Sequence, residues 1–294
     1  MGNSLRRNGK LTPGQNPAKM TEKMKNKGKN SMRIVTLAEN TACLDTFSCE
    51  HGLSLYIETG KHKLLFDAGQ TDLFSENAEK LGIDLQKVDF AILSHGHFDH
   101  SGGMLTFLEV NKTAPLYVHR QAFVPHVNAE GLDIGVTPDL QKSHRLRLTE
   151  DVQTIAPGIT LYSCNDRSRS HTTQTYGLCK LENGITVPDD FCHEQYLLIE
   201  EAGRKILISG CSHKGILNIM EWFCPDILVG GFHFMRLDPA GQGRESLETA
   251  ARELLQYPTT YYTGHCTGAA QYAFLKERMG DRLQNLSTGM DLTL

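Results

Sequence analysis

The chain has 294 residues, 39% hydrophobic and 22% charged, with a formal net charge of -4. That is enough apolar material to bury a sizeable core, and it gives no general reason to expect nucleic-acid or membrane-surface binding. No apolar run approaches the roughly 20 residues of a membrane span, and no apolar stretch of roughly 7–15 residues follows Arg6 and Arg7 to form a secretory signal, so a soluble, cytoplasmic protein is expected.

The first segment, residues 1–32, carries Arg6, Arg7, Lys10, Lys19, Lys23, Lys25, Lys27 and Lys29 against the single acid Glu22. With almost no large apolar side chains it cannot offset its ordering entropy, which predicts a disordered basic leader. Its opening Met1-Gly2-Asn3-Ser4-Leu5-Arg6 puts Arg where an acylation signal has Ser or Thr.

Residues 33–294 read as strands alternating with helices. Arg33 to Ala38 alternates as a strand, and Leu53 to Glu58 and Lys63 to Phe66 form two more, joined by the turn Thr59-Gly60-Lys61-His62. Asp72 to Leu81 has helical spacing, and Val88 to Leu93 is a short apolar run of a buried strand. Residues 118 to 194 lack periodicity and are rich in His, Arg, Pro and Gly, as expected of a loop-rich insertion over a site. Strands follow at Lys205 to Ser209, Ile227 to Val229 and Thr259 to Thr263, with helices at Gly215 to Phe223, Arg244 to Gln256 and Ala269 to Arg278. Such alternation, hairpin-rich at first, predicts a four-layer αββα sandwich.

The eight cysteines include no pair at two-residue spacing, so reduced thiols packed as small hydrophobes are expected. Cys211 and Cys266 stand apart, each within two residues of a histidine in a glycine-rich turn.

The apolar run ending at Leu93 delivers the chain into Ser94-His95-Gly96-His97-Phe98-Asp99-His100. Imidazoles and a carboxylate so closely grouped need partners when buried, and one or two divalent ions satisfy them together on a non-helical turn. One or two zinc ions are expected, with iron, manganese or magnesium as alternatives.

His95-x-His97-x-Asp99-His100 resembles the signature of the metallo-β-lactamase superfamily. The resemblance implies the metallo-β-lactamase fold, with His95 and His97 serving one metal and Asp99 and His100 a second. Leu64-Leu65-Phe66-Asp67-Ala68-Gly69 resembles the superfamily's first motif, whose aspartate orients the ligands, so Asp67 would act behind them. Gly210-Cys211-Ser212-His213 places Cys211 where the superfamily has a bridging aspartate, and Gly264-His265-Cys266-Thr267-Gly268 resembles the turn of its last ligand histidine. Together with Glu50-His51-Gly52-Leu53-Ser54 and Gly230-Gly231-Phe232-His233, these motifs resemble the branch of 7,8-dihydropterin-6-methyl-4-(β-D-ribofuranosyl)aminobenzene-5′-phosphate synthases.

The superfamily's third histidine motif has no match, since that region reads Asp189-Asp190-Phe191-Cys192-His193-Glu194-Gln195. Either His213 or His193 would replace it, and Cys211 either ligates or packs beneath the turn. His233 is a candidate proton donor or substrate contact. Arg167, Arg169 and His171 form a basic patch able to hold a substrate phosphate, while His51, His119, His126 and His144 are assigned no role.

A metal ion lowers the pKa of bound water towards about 7. Hydrolysis of a phosphoester or acyl bond of a small molecule, phosphorylated or not, is therefore the first expectation. The resembled branch implies instead a transferase joining a pterin methyl diphosphate to an aminobenzene ribofuranosyl phosphate. A metal-retaining protein that binds a metabolite without turnover is the third alternative. The acidic body speaks against a nucleic-acid partner, and the oligomeric state is left open.

Overall fold

A computed structural model describes residues 32–294. The expected leader lies outside the described residues except for Met32. That residue is buried between the sheets, and its carbonyl accepts the Leu294 N–H at 2.8 Å, so it belongs to the folded body.

The first half of the chain contributes β1 (Arg33–Ala38), β2 (Ser54–Glu58), β3 (Lys63–Phe66), β4 (Phe90–Leu93), β5 (Leu116–His119), β6 (His126–Val127) and β7 (Leu146–Thr149). The second contributes β8 (Val152–Ala156), β9 (Ile159–Tyr162), β10 (Cys179–Glu182), β11 (Ile185–Pro188), β12 (Tyr196–Glu201), β13 (Arg204–Ile208), β14 (Ile227–Val229), β15 (Thr260–Thr263), β16 (Leu283–Asn285) and β17 (Asp291–Thr293). They form two seven-stranded sheets, β17-β1-β2-β3-β4-β5-β7 and β16-β15-β14-β13-β12-β9-β8. Each sheet has three antiparallel pairings followed by three parallel ones. The two halves therefore share a layout that no sequence repeat announces.

The strand period of two sorts side chains between layers. Leu64, Phe66 and Ile92 point between the sheets, where they meet Ile199, Ile206 and Ile208. Leu65, Ala91 and Leu93 point outward to a second cluster with Phe74 and Ala78 of α1 (Leu73–Lys80). The short α2 (Phe98–Ser101) leads into α3 (Met104–Val110), whose Met104 and Phe107 join that cluster. Beyond the other sheet, Leu198, Leu207 and Leu228 pack against α4 (Ile216–Phe223), α5 (Arg244–Leu254) and α6 (Ala269–Met279). Three apolar clusters between four layers, two of helices and two of strands, make the αββα sandwich.

Two expectations change. The stretch 118–194 is not one insertion: β7 extends the first sheet, while β8 and β9 extend the second. Only the segments around the small sheet β11-β10-β6 stand outside both. Those edge strands were hard to read because β8 is largely exposed and lacks an apolar face. The histidine cluster is likewise not wholly non-helical, since Asp99 and His100 lie on α2 with His97 at its N-cap. No helix among the described residues is long and apolar enough to cross a membrane.

Candidate metal centre

The parallel strands β3, β4, β13, β14 and β15 bring their C-terminal ends to one edge, the usual place for ligands in an α/β sheet. Four of the turns there carry a residue in the left-handed region: Asp67 (φ 60°), Ser212 (φ 57°), His233 (φ 56°) and His265 (φ 47°). Such conformations persist only where surrounding contacts hold them, and they concentrate at functional sites. Glycine permits the crowding. A Cβ on Gly96 would lie 2.6 Å from the Ala122 carbonyl oxygen, and one on Gly210 would lie 2.3 Å from Ser94 Oγ.

Asp67 organises the cluster from behind. Its carboxylate accepts the Ser94 N–H, the Ser94 hydroxyl and His100 Nδ1–H, each at 2.7 Å. Because the Ser94 proton is committed to Asp67, Ser94 Oγ accepts from His95 Nδ1 at 2.8 Å. Asn40, oriented by the Gly52 N–H, accepts Nδ1–H of His265 at 2.9 Å through Oδ1. Nδ1 of His95, His100 and His265 is thereby occupied, leaving each Nε2 directed inward.

Those inward atoms crowd one another. His100 Nε2 lies 3.2 Å from both Cys211 Sγ and His265 Nε2, and His265 Nε2 lies 3.2 Å from Asp99 Oδ2. Donor atoms sharing a tetrahedral ion at ~2.0–2.1 Å stand ~3.3 Å apart. On the other side, His95, His97 and His213 bring one ring nitrogen each within 4.8 Å of the others. Nε2 of His95 and His97 and both ring nitrogens of His213 are buried without a hydrogen-bond partner. Cys211 falls between the groups, within the same 4.8 Å of His95 and His100. Orphaned buried imidazole nitrogens beside a carboxylate are a donor set that fits divalent ions.

Burial, reinforced by neighbouring imidazoles, pushes the pKa of His95, His97 and His213 well below the ordinary histidine value. These rings therefore present lone pairs rather than charge. Burial would raise the Asp99 carboxyl, but His100, His265 and His97 outweigh it and hold the group well below the usual carboxylate range. Burial pushes the Cys211 thiol up, with Cys266 and Asp99 adding to it.

His193 sits apart from the inward-facing set. Its Nδ1 accepts the Gly96 N–H at 2.8 Å and its Nε2 faces Asp189 Oδ2 at 3.2 Å. Both nitrogens are thus occupied in bracing the Gly96 turn. His213 faces the cluster, stacked on Phe191 at 4.5 Å, and its turn is gripped by buried Glu194, which accepts the His213 N–H at 2.6 Å and the Lys214 N–H at 3.0 Å. His233 packs 4.3 Å from His213. Burial first, then His265, lowers its pKa to about 4.

A cavity of about 230 Å³ opens on this cluster, with Asp99, Cys211, His233, His265 and Arg236 in its wall. The expected basic patch is not there. Arg167 donates to the Trp222 carbonyl at 2.9 Å, Arg169 to the Asp190 carbonyl at 2.8 Å, and His171 lies between Glu221 (2.9 Å) and Glu253 (3.6 Å). Each arginine is drawn to a backbone carbonyl and His171 to two carboxylates, and none of the three lines the metal cavity. Arg236 is the cation at the cavity, and sequence reasoning missed it, along with Asn40, Glu194 and His51, whose Nε2 lies 3.5 Å from Asp99 Oδ2. Of these, His51 alone carried a signal beforehand, as part of the motif Glu50-His51-Gly52-Leu53-Ser54. All eight cysteines are free thiols.

Residues 48–163 match the family described as the Metallo-beta-lactamase superfamily. The chain is 31% identical over 286 residues to the 7,8-dihydropterin-6-methyl-4-(beta-D-ribofuranosyl)-aminobenzene-5'-phosphate synthase of Methanocaldococcus jannaschii, covering 88% of this chain and 96% of that protein. Among solved structures it resembles a metal-dependent hydrolase of the beta-lactamase superfamily, with a TM-score of 0.77 and 26% identity over 90% of this chain and 99% of the other. It also shares the fold of a metallo-beta-lactamase fold protein from Bacillus subtilis, at a TM-score of 0.55 and 14% identity over 90% of this chain and 100% of that one. Fold, strand-end cluster and sequence agree that this chain belongs to the metallo-β-lactamase superfamily, whose members bind divalent metals.

Proposed function

We propose that the protein is a metal-dependent hydrolase of a small molecule, cleaving a phosphoester in preference to an acyl bond. His95, His97 and His213 would hold one ion and Asp99, His100 and His265 a second, with Cys211 between them. The observation that carries this reading is the set of inward-facing, unpartnered imidazole nitrogens opening on a cavity with Arg236 in its wall. Nitrogen donors with one carboxylate and one thiol suit zinc best, with iron, manganese or magnesium as alternatives. Bound there, divalent ions would supply Lewis acidity towards oxygen anions.

The protein's own groups define the remaining roles. Arg236 makes no ion pair or side-chain hydrogen bond among the described residues, so its guanidinium is free to grip a phosphate. The ionised Asp99 can accept a hydrogen bond from an attacking water and orient it, and His233, neutral and on the cavity wall, can relay a proton to the leaving group.

A second reading is favoured by the 31% identity extending over 96% of the archaeal synthase. In it, an aromatic acceptor takes the place of water and the same groups hold a departing diphosphate. The test offers metal-loaded protein a panel of phosphoesters, lactones and thioesters. It is also offered a pterin methyl diphosphate, with and without an aminobenzene ribofuranosyl phosphate. Phosphoester turnover alone supports the hydrolase; product joined to the arene, with no hydrolysis, supports the transferase. Silence across the panel overturns both and favours metabolite binding without turnover.

A further inference from the structure

The segment 189–195, which leads into β12, lies where the superfamily's third histidine motif has no match, yet its contacts run to both turns that carry His95, His97 and His213. The Gln195 N–H donates to the Ser94 carbonyl at 2.8 Å and the Gln195 amide to the Leu93 carbonyl at 2.7 Å, which ties the segment to the strand end ahead of His95. Glu194 holds the opposite turn through the His213 and Lys214 N–H groups. At the head of the segment stands Asp189, with a fully buried carboxylate that pairs with no lysine or arginine among the described residues.

The two oxygens of Asp189 divide between those turns. Oδ1 accepts the Phe191 N–H at 2.7 Å, closing a turn in which Phe191 takes a left-handed backbone (φ 59°) and stacks on His213 at 4.5 Å with the ring planes 10° apart. Oδ2 faces His193 Nε2 at 3.2 Å, and Nδ1 of the same ring accepts the Gly96 N–H at 2.8 Å. One chain of contacts therefore ends at His213 and the other between His95 and His97. The tautomer of His193 follows from these neighbours. A backbone N–H can only donate, so Nδ1 must present its lone pair, and the proton of the neutral ring then sits on Nε2 facing Asp189. Burial would raise the Asp189 carboxyl, but His193, His126 and the Phe191 N–H outweigh it and hold the group well below the usual carboxylate range. An ionised carboxylate accepts at both oxygens, as the two contacts require.

We infer that Asp189 is a positioning residue for all three imidazoles of the first ion, setting His95 and His97 through His193 and Gly96, and His213 through Phe191. The inference deepens the proposed function and rests on it for the assignment of those three rings to one ion.

Asp189→Asn keeps the size of the side chain but leaves one acceptor oxygen where two are needed, so either His193 or Phe191 meets a donor. In the full-length protein this variant should weaken binding of one equivalent of zinc about 10–100-fold and leave the other within about twofold. His193→Asn, whose amide oxygen can accept the Gly96 N–H in place of Nδ1, should bind that zinc more tightly than His193→Ala, and this pair decides the matter if Asp189→Asn fails to fold. The readout that packing alone would not move is the position of the His193 proton, followed by long-range proton–nitrogen NMR on chelator-treated protein and expected on Nε2 in the wild type. A proton on Nδ1 would overturn the inference, as would equal zinc affinity in the wild type, His193→Ala and any folded Asp189→Asn. A proton on Nε2 in a wild-type protein that binds no zinc would overturn the metal-centre reading on which the inference rests, while leaving the contact itself standing.

Discussion

Nε2 of His100 stands 3.2 Å from Nε2 of His265, although both rings keep their protons on Nδ1, where Asp67 and Asn40 accept them. Two lone pairs face one another across a gap that only a cation or a proton can reconcile. That contact makes the orientation of each ring testable from behind.

Asp67→Asn retains a residue that tolerates the left-handed backbone found there (φ 60°) while replacing one acceptor oxygen by a donor. The fold should survive, because the apolar layers are untouched, but metal affinity should fall about 10–100-fold as His100 and Ser94 lose their common anchor. Competition with a metallochromic indicator reads the change. An unaltered affinity would mean that the rings are fixed by packing alone.

His213 and Cys211 make separable predictions. His213→Ala should remove about one equivalent of zinc and abolish turnover, since that variant leaves His95 and His97 without their third nitrogen. Cys211→Asp should retain metal, and Cys211→Ala should lose part of it. Equal zinc in the wild type, His213→Ala and Cys211→Ala, by elemental analysis of protein purified without added metal, would show that this turn is structural.

Arg236→Ala should raise KM for a phosphorylated substrate about tenfold or more, the usual worth of a charge-assisted hydrogen bond. Zinc content and the KM of a neutral lactone should stay as they were. An equal effect on both substrates would argue for a general change in the cavity.

Acid should destabilise the chelator-treated protein before its carboxylates titrate. Burial, the largest cause, lowers His119 and His126 to about 4 from an unfolded value near 6.5. Between these values the unfolded chain binds more protons than the folded one. Stability is therefore complete above about pH 6.5 and is lost as pH falls towards 4, by about 1–3 kcal/mol for each histidine. Denaturant titrations at pH 7.5, 6 and 5 should show the decline, and His119→Gln should make it shallower by that residue's share. A flat profile in the wild type over this window would rule out neutral burial of these rings.

Much of this was legible in the sequence because it is local. An apolar strand running into His95, His97, Asp99 and His100 puts four donor groups within one turn, and glycine-rich strand ends at Gly210 and Gly264 mark where more must converge. Fold class followed for the same reason, since the alternation of Leu64, Leu65 and Phe66 between two cores is a two-residue period that any strand must obey. What tertiary structure alone decided depends on contacts across long separations. His213 was the preferred ligand and His193 the alternative, and what separates them structurally is that the Gly96 N–H, 97 residues away, occupies His193 Nδ1. Arg167 and Arg169 were read as phosphate ligands, but they donate hydrogen bonds to the backbone carbonyls of Trp222 and Asp190 and do not line the metal cavity, whose cation is Arg236. Sequence records which groups are able to bind, but a donor's free valence is fixed only when the fold has chosen its partners.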